Sequence, residues 1–284
     1  MLADSRIEMI VLSAKDIRRT RRFYEDVLGF LPVRAFGNAV TYRAGAVDLA
    51  ISEVKGFGSN RDPGGDDSEL LVFHVDSVDE MRAALEKKGV VFGPTLRYEI
   101  GATAAFHDPD LHNITLYEPS EESLTWSSGA KVRELMGEQQ PPRGELLGTR
   151  NFLYLFLFVR DTAEALKFYR DTLQLKVIED DPDAGVVKYD CGGLVIATHL
   201  VGGDAMCAVE MDLGYEKGVA PAFSVSGLDE LVKKLEAAQV AVLGTPAVTQ
   251  NGAVAKFRDP SGHMFYLCEG VGERQTEPSV PQLV

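Results

Sequence analysis

The sequence predicts an α+β protein built from two tandem copies of one module, each reading strand–helix–strands twice over. A hairpin-like stretch at 106–119, FHDPDLHNITLYEP, returns at 257–270 as FRDPSGHMFYLCEG. Two amphipathic helical segments recur between these points: KDIRRTRRFYEDVLGF as RDTAEALKFYRDTLQL, and VDSVDEMRAALEKKGV as VSGLDELVKKLEAAQV. Repeats that keep their order along a chain indicate an internal duplication.

The repeats set the predicted domain boundaries. The first module spans 1–120 and the second 149–272. Residues 121–148 are polar and rich in Pro, Gly and Ser, which predicts a linker with a short helix around 131–136. A loose tail is expected at 273–284.

Capping residues mark where the predicted helices begin. Asp16 and Asp161 each follow an apolar strand and precede a helical pattern, as N-cap residues do. Ser77 with Glu80 has the spacing of a capping box before the second helix of the first copy.

Composition limits the partners. The formal net charge is −14 and the isoelectric point about 4.8, so the chain repels phosphate backbones and no nucleic acid is expected. No apolar run is long enough for a membrane-spanning helix and no signal-peptide pattern opens the sequence, so a cytoplasmic protein without a membrane partner is expected. The three cysteines show no CxxC spacing, which favours free thiols over disulfides.

These motifs resemble the vicinal oxygen chelate superfamily, which includes glyoxalase I, bleomycin-resistance proteins and extradiol dioxygenases. The resemblance covers nearly the whole chain apart from the linker and the tail. It implies two βαβββ units per module, with sheets curled into a cup that holds a ligand and helices on the outside. A small-molecule ligand and a monomer or homodimer are the corresponding expectations.

Strand alternation assigns side chains to that cup, because successive side chains point to opposite faces of a sheet. His74 is the candidate catalytic residue, since an imidazole with a pKa near 6.5 suits proton transfer. The predicted ligand-binding residues are Met9, Val11, Ser13, Val72, His74, Thr115, Tyr117, Tyr154, Phe156, Phe158, Ser224 and Tyr266.

The resemblance also implies where a metal would be held in metal-dependent members. Those places contain Met9, Leu70 and Thr115 in the first copy, and Tyr154, Ala220 and Tyr266 in the second. None is an imidazole or a carboxylate, whereas divalent cations need several converging N or O donors. We therefore expect no metal and no cofactor. A one-residue slip of register, which would turn Glu8 and Glu69 inward, is the competing interpretation.

The other imidazoles and carboxylates are predicted to lie outside the site. His112 and His263 are expected to be exposed turn residues, and His199 a peripheral strand residue. Glu118 and Glu269 end their strands on the outward face, where a rim or surface carboxylate is expected.

Three functions remain open. The first is metal-free binding of a small, aromatic organic molecule in a pocket with mostly apolar walls. The second is an enzyme of the lyase, isomerase or dioxygenase type, using a divalent metal or a His/Tyr acid–base pair. The third is a degenerate duplicate kept as a scaffold. The single tryptophan, Trp126, falls in the linker and is expected to report weakly on a ligand.

Overall fold

The structure is a computed structural model that describes residues 1–54, 69–137, 144–201, 218–249 and 252–270. The predicted tail at 273–284 and Cys207 lie outside these residues. The first copy contributes β1 (Arg6–Ala14), β2 (Pro32–Phe36), β3 (Ala39–Ala44), β4 (Val47–Glu53), β5 (Glu69–His74), β6 (Leu96–Tyr98), β7 (Gly101–His107) and β8 (Asn113–Pro119). The second contributes β9 (Phe152–Val159), β10 (Lys176–Asp181), β11 (Val186–Asp190), β12 (Val195–Leu200), β13 (Val219–Ser224), β14 (Ala241–Val242), β15 (Ala247–Thr249), β16 (Gly252–Arg258) and β17 (Met264–Glu269).

The strands form two sheets that each combine half of one copy with half of the other. The first sheet has the order β14-β16-β17-β13-β1-β4-β3-β2, with β15 paired to β16. The second has the order β10-β11-β12-β9-β5-β8-β7-β6. The copies are joined by two antiparallel pairs, β1 with β13 and β5 with β9. The α+β class and the duplicated strand–helix–strands plan are as predicted, and the pairing across copies is what the structure adds.

Five α-helices accompany these sheets in the described residues. They are α1 (Ile17–Arg22), α2 (Val78–Glu86), α3 (Gly129–Gly137), α4 (Thr162–Leu166) and α5 (Leu228–Ala237). Helices α1 and α4 continue as π-helical turns, Phe23–Val27 and Lys167–Thr172. Helices α1 and α5 pack on the first sheet, and α2 and α4 on the second. No helix in the described part of the chain is both long and apolar enough to cross a membrane.

The predicted caps are present. Asp16 Oδ1 accepts hydrogen bonds from the backbone of Arg18 and Arg19, at 2.9 and 3.2 Å. Asp161 caps α4 in the same way, and Ser77 Oγ accepts from the backbone N–H of Glu80 at 3.3 Å. These bonds satisfy N–H groups that the first turn of a helix leaves without partners.

One glycine allows the end of the predicted linker to pack closely against the chain that follows the first helix. Gly29 has a φ of +83°, and a Cβ at this position would lie 2.2 Å from the carbonyl oxygen of Glu145. The backbone N–H of Glu145 donates to the carbonyl of Gly29 at 2.9 Å. Only a residue without a side chain fits both the left-handed backbone and this approach.

The repeated hairpin binds each first helix to its closing strand. In the first copy, Tyr24 donates to Asp108 Oδ2 at 3.1 Å, and the same oxygen lies 2.8 Å from His112 Nδ1. Asp108 Oδ1 accepts from the backbone of Asp110 and His112. His112 is 2% exposed, so the prediction of an exposed turn histidine is wrong. The buried carboxylate draws the imidazole inward.

The second copy repeats this arrangement. Tyr169 donates to Asp259 Oδ2 at 2.8 Å, and that oxygen lies 2.8 Å from His263 Nδ1. His263 is 1% exposed, so its predicted exposure is wrong for the same reason. Both copies therefore contain a buried Tyr–Asp–His unit.

The glutamates that end the closing strands cap the second helix of each copy. Glu118 Oε2 accepts from the backbone N–H of Val78 at 2.9 Å. Glu269 Oε1 accepts from the backbone of Gly227 and of Leu228. Both lie on the outward side of their strands, as predicted, but each has a structural role at a helix start instead of a free position on the surface.

Candidate ligand-binding site

The alternation of side chains follows the predicted register. On β5, Leu71 and Phe73 belong to the core packed against the helices, whereas Leu70 and Val72 belong to a separate cluster on the opposite face. We call this opposite face of either sheet its inner face. Glu8 is exposed, and Glu69 shares the helix-facing side of β5 with Leu71. The one-residue slip is therefore not the observed register.

The predicted binding residues divide between the two sheets. Val72 pairs with Thr115 on one side and Tyr154 on the other, so side chains from both copies meet on the second sheet. Ala222 of the first sheet is likewise flanked by Met9 and Tyr266. The second sheet holds Val72, His74, Thr115, Tyr117, Tyr154, Phe156 and Phe158, and the first holds Met9, Val11, Ser13, Ser224 and Tyr266. Each of these groups of neighbouring side chains therefore contains residues of both copies.

A cavity of about 290 Å³ lies on the inner face of the second sheet. Its wall includes six of the predicted residues, namely Val72, Thr115, Tyr117, Tyr154, Phe156 and Phe158. The rings contact one another without closing the space: Tyr154 lies 6.1 Å from Tyr117 and 5.7 Å from Phe156, measured between ring centroids. Burial raises the pKa of both phenols, so both are protonated at neutral pH.

Lys188 and Ser128 form a polar part of the cavity wall, and Lys188 is paired with Glu179. Lys188 Nζ lies 2.5 Å from Glu179 Oε1, and the two side chains are 12% and 10% exposed. Ser128 Oγ donates to Glu179 Oε2 at 2.7 Å and accepts from Lys188 at 3.2 Å. Burial alone would raise the pKa of Glu179, but the ammonium of Lys188 and the hydrogen bonds from Ser128 outweigh it and lower that pKa. Glu179 is therefore ionised.

The predicted linker covers the cavity. A 3₁₀ turn (Ser123–Thr125) and α3 make up what we call the cover segment, residues 123–137. Helix α3 confirms the predicted linker helix, and Trp126 and Val132 of the segment line the cavity. Lys188 Nζ lies 5.7 Å from the centre of the Trp126 ring and 5.8 Å from that of Tyr154. Trp126 lies in the predicted linker and is also part of the cavity wall.

Of the two strand histidines His199 and His74, the first lines the cavity and the second does not. His199 is 6% exposed, lines the cavity and lies 5.6 Å from Phe158 between ring centroids, so the peripheral assignment is wrong. It faces inward because it has the same parity as Val195 and Ala197 on β12. His74 lies at the end of β5, beyond the residues that line this cavity. Burial lowers the pKa of His74, Asp76 opposes that shift, and Arg150 adds to it.

The side chains at the metal positions of the family do not fit a divalent cation. On the second sheet they are Leu70, Thr115 and Tyr154, which present an alkyl group, a hydroxyl and a protonated phenol. Among the described residues, no three His, Cys, Asp or Glu side chains converge on a point that could hold a metal ion. Cation sites need several such donors at about 2.0–2.6 Å.

The inner face of the first sheet is different in character. Val11, Ala220, Ala222, Val254 and Tyr266 pack together there, with Met9 and Cys268 against them. Burial raises the pKa of the Cys268 thiol to about 11, which leaves little nucleophilic thiolate at neutral pH.

Sequence reasoning missed Lys188 and Glu179. The signal was present in VVKYD, where Val187 and Tyr189 are buried and Lys188 has the opposite parity. Glu179 is its antiparallel neighbour on β10. A lysine facing inward beside apolar strands would have marked one end of the cavity.

The fold defines a two-module βαβββ protein, and a cavity lies on the inner face of its second sheet. The model of the Glyoxalase/Bleomycin resistance protein/Dioxygenase superfamily matches residues 6–116 and 151–267. The chain belongs to this superfamily. No curated protein matches the sequence.

Solved structures with the same fold span both halves of the chain. A point mutant of glyoxalase I from Zea mays is 17% identical with a TM-score of 0.63, over 94% of this chain and 92% of that one. A putative dioxygenase from Bacillus subtilis is 15% identical with a TM-score of 0.61, over 93% and 84%. The cppA protein from Streptococcus pneumoniae is 12% identical with a TM-score of 0.51, over 93% and 98%. At these identities the likeness concerns the fold.

Proposed function

We propose that the protein binds a small, aromatic organic molecule, without a metal, in the cavity of the second sheet. The observation that carries the proposal is a cavity of about 290 Å³ whose wall is largely apolar and aromatic. Pockets of this kind gain affinity from the burial of apolar area and from ring contacts, while a few polar groups set orientation. The donor set at the metal positions supports the metal-free part of the proposal.

Trp126 makes binding measurable, because it is the single tryptophan and lines the cavity. A panel of planar organic molecules should include compounds that change its emission in a saturable manner, with the same affinity before and after treatment with a chelator. Native mass spectrometry of the purified protein should show a retained organic molecule or none, and no stoichiometric metal. A stoichiometric transition metal, or affinity abolished by chelation, would contradict the proposal.

Matched variants localise the binding. Tyr154→Leu should weaken binding, since this ring lines the cavity. Tyr266→Leu removes an equivalent ring from the inner face of the first sheet and should leave affinity unchanged. Equal losses in both variants would place the ligand elsewhere.

An enzyme of this superfamily is the second candidate, favoured by His199 at the cavity wall. An imidazole at this position can take or give a proton to a bound molecule, and the phenol of Tyr154 is a second protonated group. This candidate expects His199→Gln to retain ligand binding and to lose turnover of that ligand. Binding without turnover in the unaltered protein would favour sequestration.

A further inference from the structure

We propose that the ligand is a neutral molecule that presents a carbonyl oxygen to the ammonium group of Lys188. This rests on the proposed function, because it specifies the class of ligand for the same cavity. Lys188 and Ser128 line the cavity and Glu179 bonds to both of them. The charges and hydrogen bonds of these three residues set what a ligand must supply.

The charge of Lys188 is already matched. Glu179 lies 2.5 Å from it and is almost as deeply buried, so the pair contributes no net charge. A carboxylate ligand would be buried near an ionised glutamate without a cation of its own. A cationic ligand would be repelled by the ammonium group of Lys188. Burying an uncompensated charge is strongly unfavourable, so a neutral ligand is favoured.

The ammonium group has three N–H donors. One faces Glu179 Oε1, and a second donates to Ser128 Oγ at 3.2 Å. In the described part of the chain the third has no hydrogen-bond acceptor, and the ring faces of Trp126 and Tyr154 lie 5.7 and 5.8 Å away. A ligand oxygen between those rings would complete the ammonium's hydrogen bonding.

Three hydroxyl groups of the cavity wall donate to other protein groups. Tyr117 donates to the carbonyl of Ile100 at 2.9 Å, and Thr115 donates to Asn113 Oδ1 at 3.0 Å. Ser128 donates to Glu179. Lys188 therefore offers a ligand a charged donor in this part of the cavity, and it selects an acceptor rather than a donor.

Isothermal titration calorimetry with four compounds of one ring system tests this class. They are naphthalene, acetylnaphthalene, naphthoate and naphthylmethylammonium, which differ in charge and in the acceptor oxygen. Acetylnaphthalene should bind roughly tenfold more tightly than naphthalene, because its carbonyl oxygen accepts a hydrogen bond from a charged donor. Naphthoate and naphthylmethylammonium should bind more weakly than either.

Two variants connect this preference to Lys188. Lys188→Met with Glu179→Gln removes the pair without leaving a buried charge, and the double variant should bind acetylnaphthalene and naphthalene with equal affinity. Lys256 lies 5.5 Å above the ring of Tyr266 on the first sheet, so Lys256→Met is the matched control and should keep the preference.

The outcomes separate this inference from the proposed function. Three results would overturn the inference and leave the proposed function standing. They are naphthalene binding without a preference for the ketone, tightest binding of naphthoate, and a ketone preference that survives in the double variant. Failure of naphthalene and of every compound in the aromatic panel to bind would overturn the proposed function and this inference with it.

Discussion

Tyr24 donates its phenolic hydrogen to Asp108 across 84 positions of the sequence, at 3.1 Å and with both side chains buried. The bond ties the π-helical turn after α1 to the hairpin that closes the first copy. Tyr169 and Asp259 repeat it in the second copy at 2.8 Å. Each copy is thus closed on itself by a buried polar unit, although its strands are shared between two sheets.

Removing the charge of this unit should destabilise the protein. Asp108→Asn is expected to lower the free energy of unfolding by about 3 kcal/mol, because it breaks a buried charged network and leaves polar groups without partners. Urea unfolding at neutral pH measures the loss. The exposed Asp229→Asn is the control and should have little effect; an equal loss there would contradict the role given to Asp108.

Stability should fall in acid for the same reason. Burial raises the pKa of Asp108, but His112 and backbone N–H groups more than offset this, and the net shift is downward from 3.8. A carboxyl with a depressed folded-state pKa contributes fully above its unfolded value, and the contribution is lost as pH falls through the folded value. Unfolding free energy should therefore decline as pH falls below about 4, and Asp108→Asn should show a shallower decline.

The closing glutamates should behave as helix caps. Glu118→Ala removes the acceptor of the Val78 N–H bond and should cost about 1 kcal/mol of unfolding free energy. Glu236→Ala, an exposed change within α5, should cost nothing measurable. Thermal or urea unfolding compares the two. No difference between them would show that Glu118 has no capping role.

The cover segment should be held closed by Glu179. Glu179→Gln weakens the bonds to Ser128 and Lys188, so amide hydrogens of α3 should exchange faster with solvent. Glu134→Gln alters a surface pair with Lys131 in the same helix and is the control. Hydrogen–deuterium exchange with mass spectrometry measures both. Unchanged exchange in the Glu179 variant would mean that other contacts fasten the segment.

A half-length chain should not fold as a monomer. Residues 1–148 contain β1 and β5, whose antiparallel partners β13 and β9 belong to the second copy. The unpaired edges would be satisfied by a second identical half, so a dimer is expected. Analytical ultracentrifugation decides the matter, and a folded monomer would contradict the shared-sheet arrangement.

Local rules in the sequence determined much of this protein. The order of the repeats predicted two copies, Asp16 and Asp161 marked the helix starts, and strand alternation placed Tyr154 and Thr115 on the inner face. These features depend on residues close together in the chain, where spacing and hydrogen-bond chemistry are sufficient. Family motifs specified the fold without specifying a ligand.

The tertiary structure decided which of those faces meet. Strand pairing between β5 and β9 joins distant segments, and no local pattern sets that choice. The same folding set Tyr24 against Asp108, and it laid Trp126 over the cavity that His199 also lines. Each of these depends on contacts between elements far apart in sequence. Strand alternation and helix capping cannot predict such contacts, because they fix the direction of a side chain without determining which distant residue it will contact.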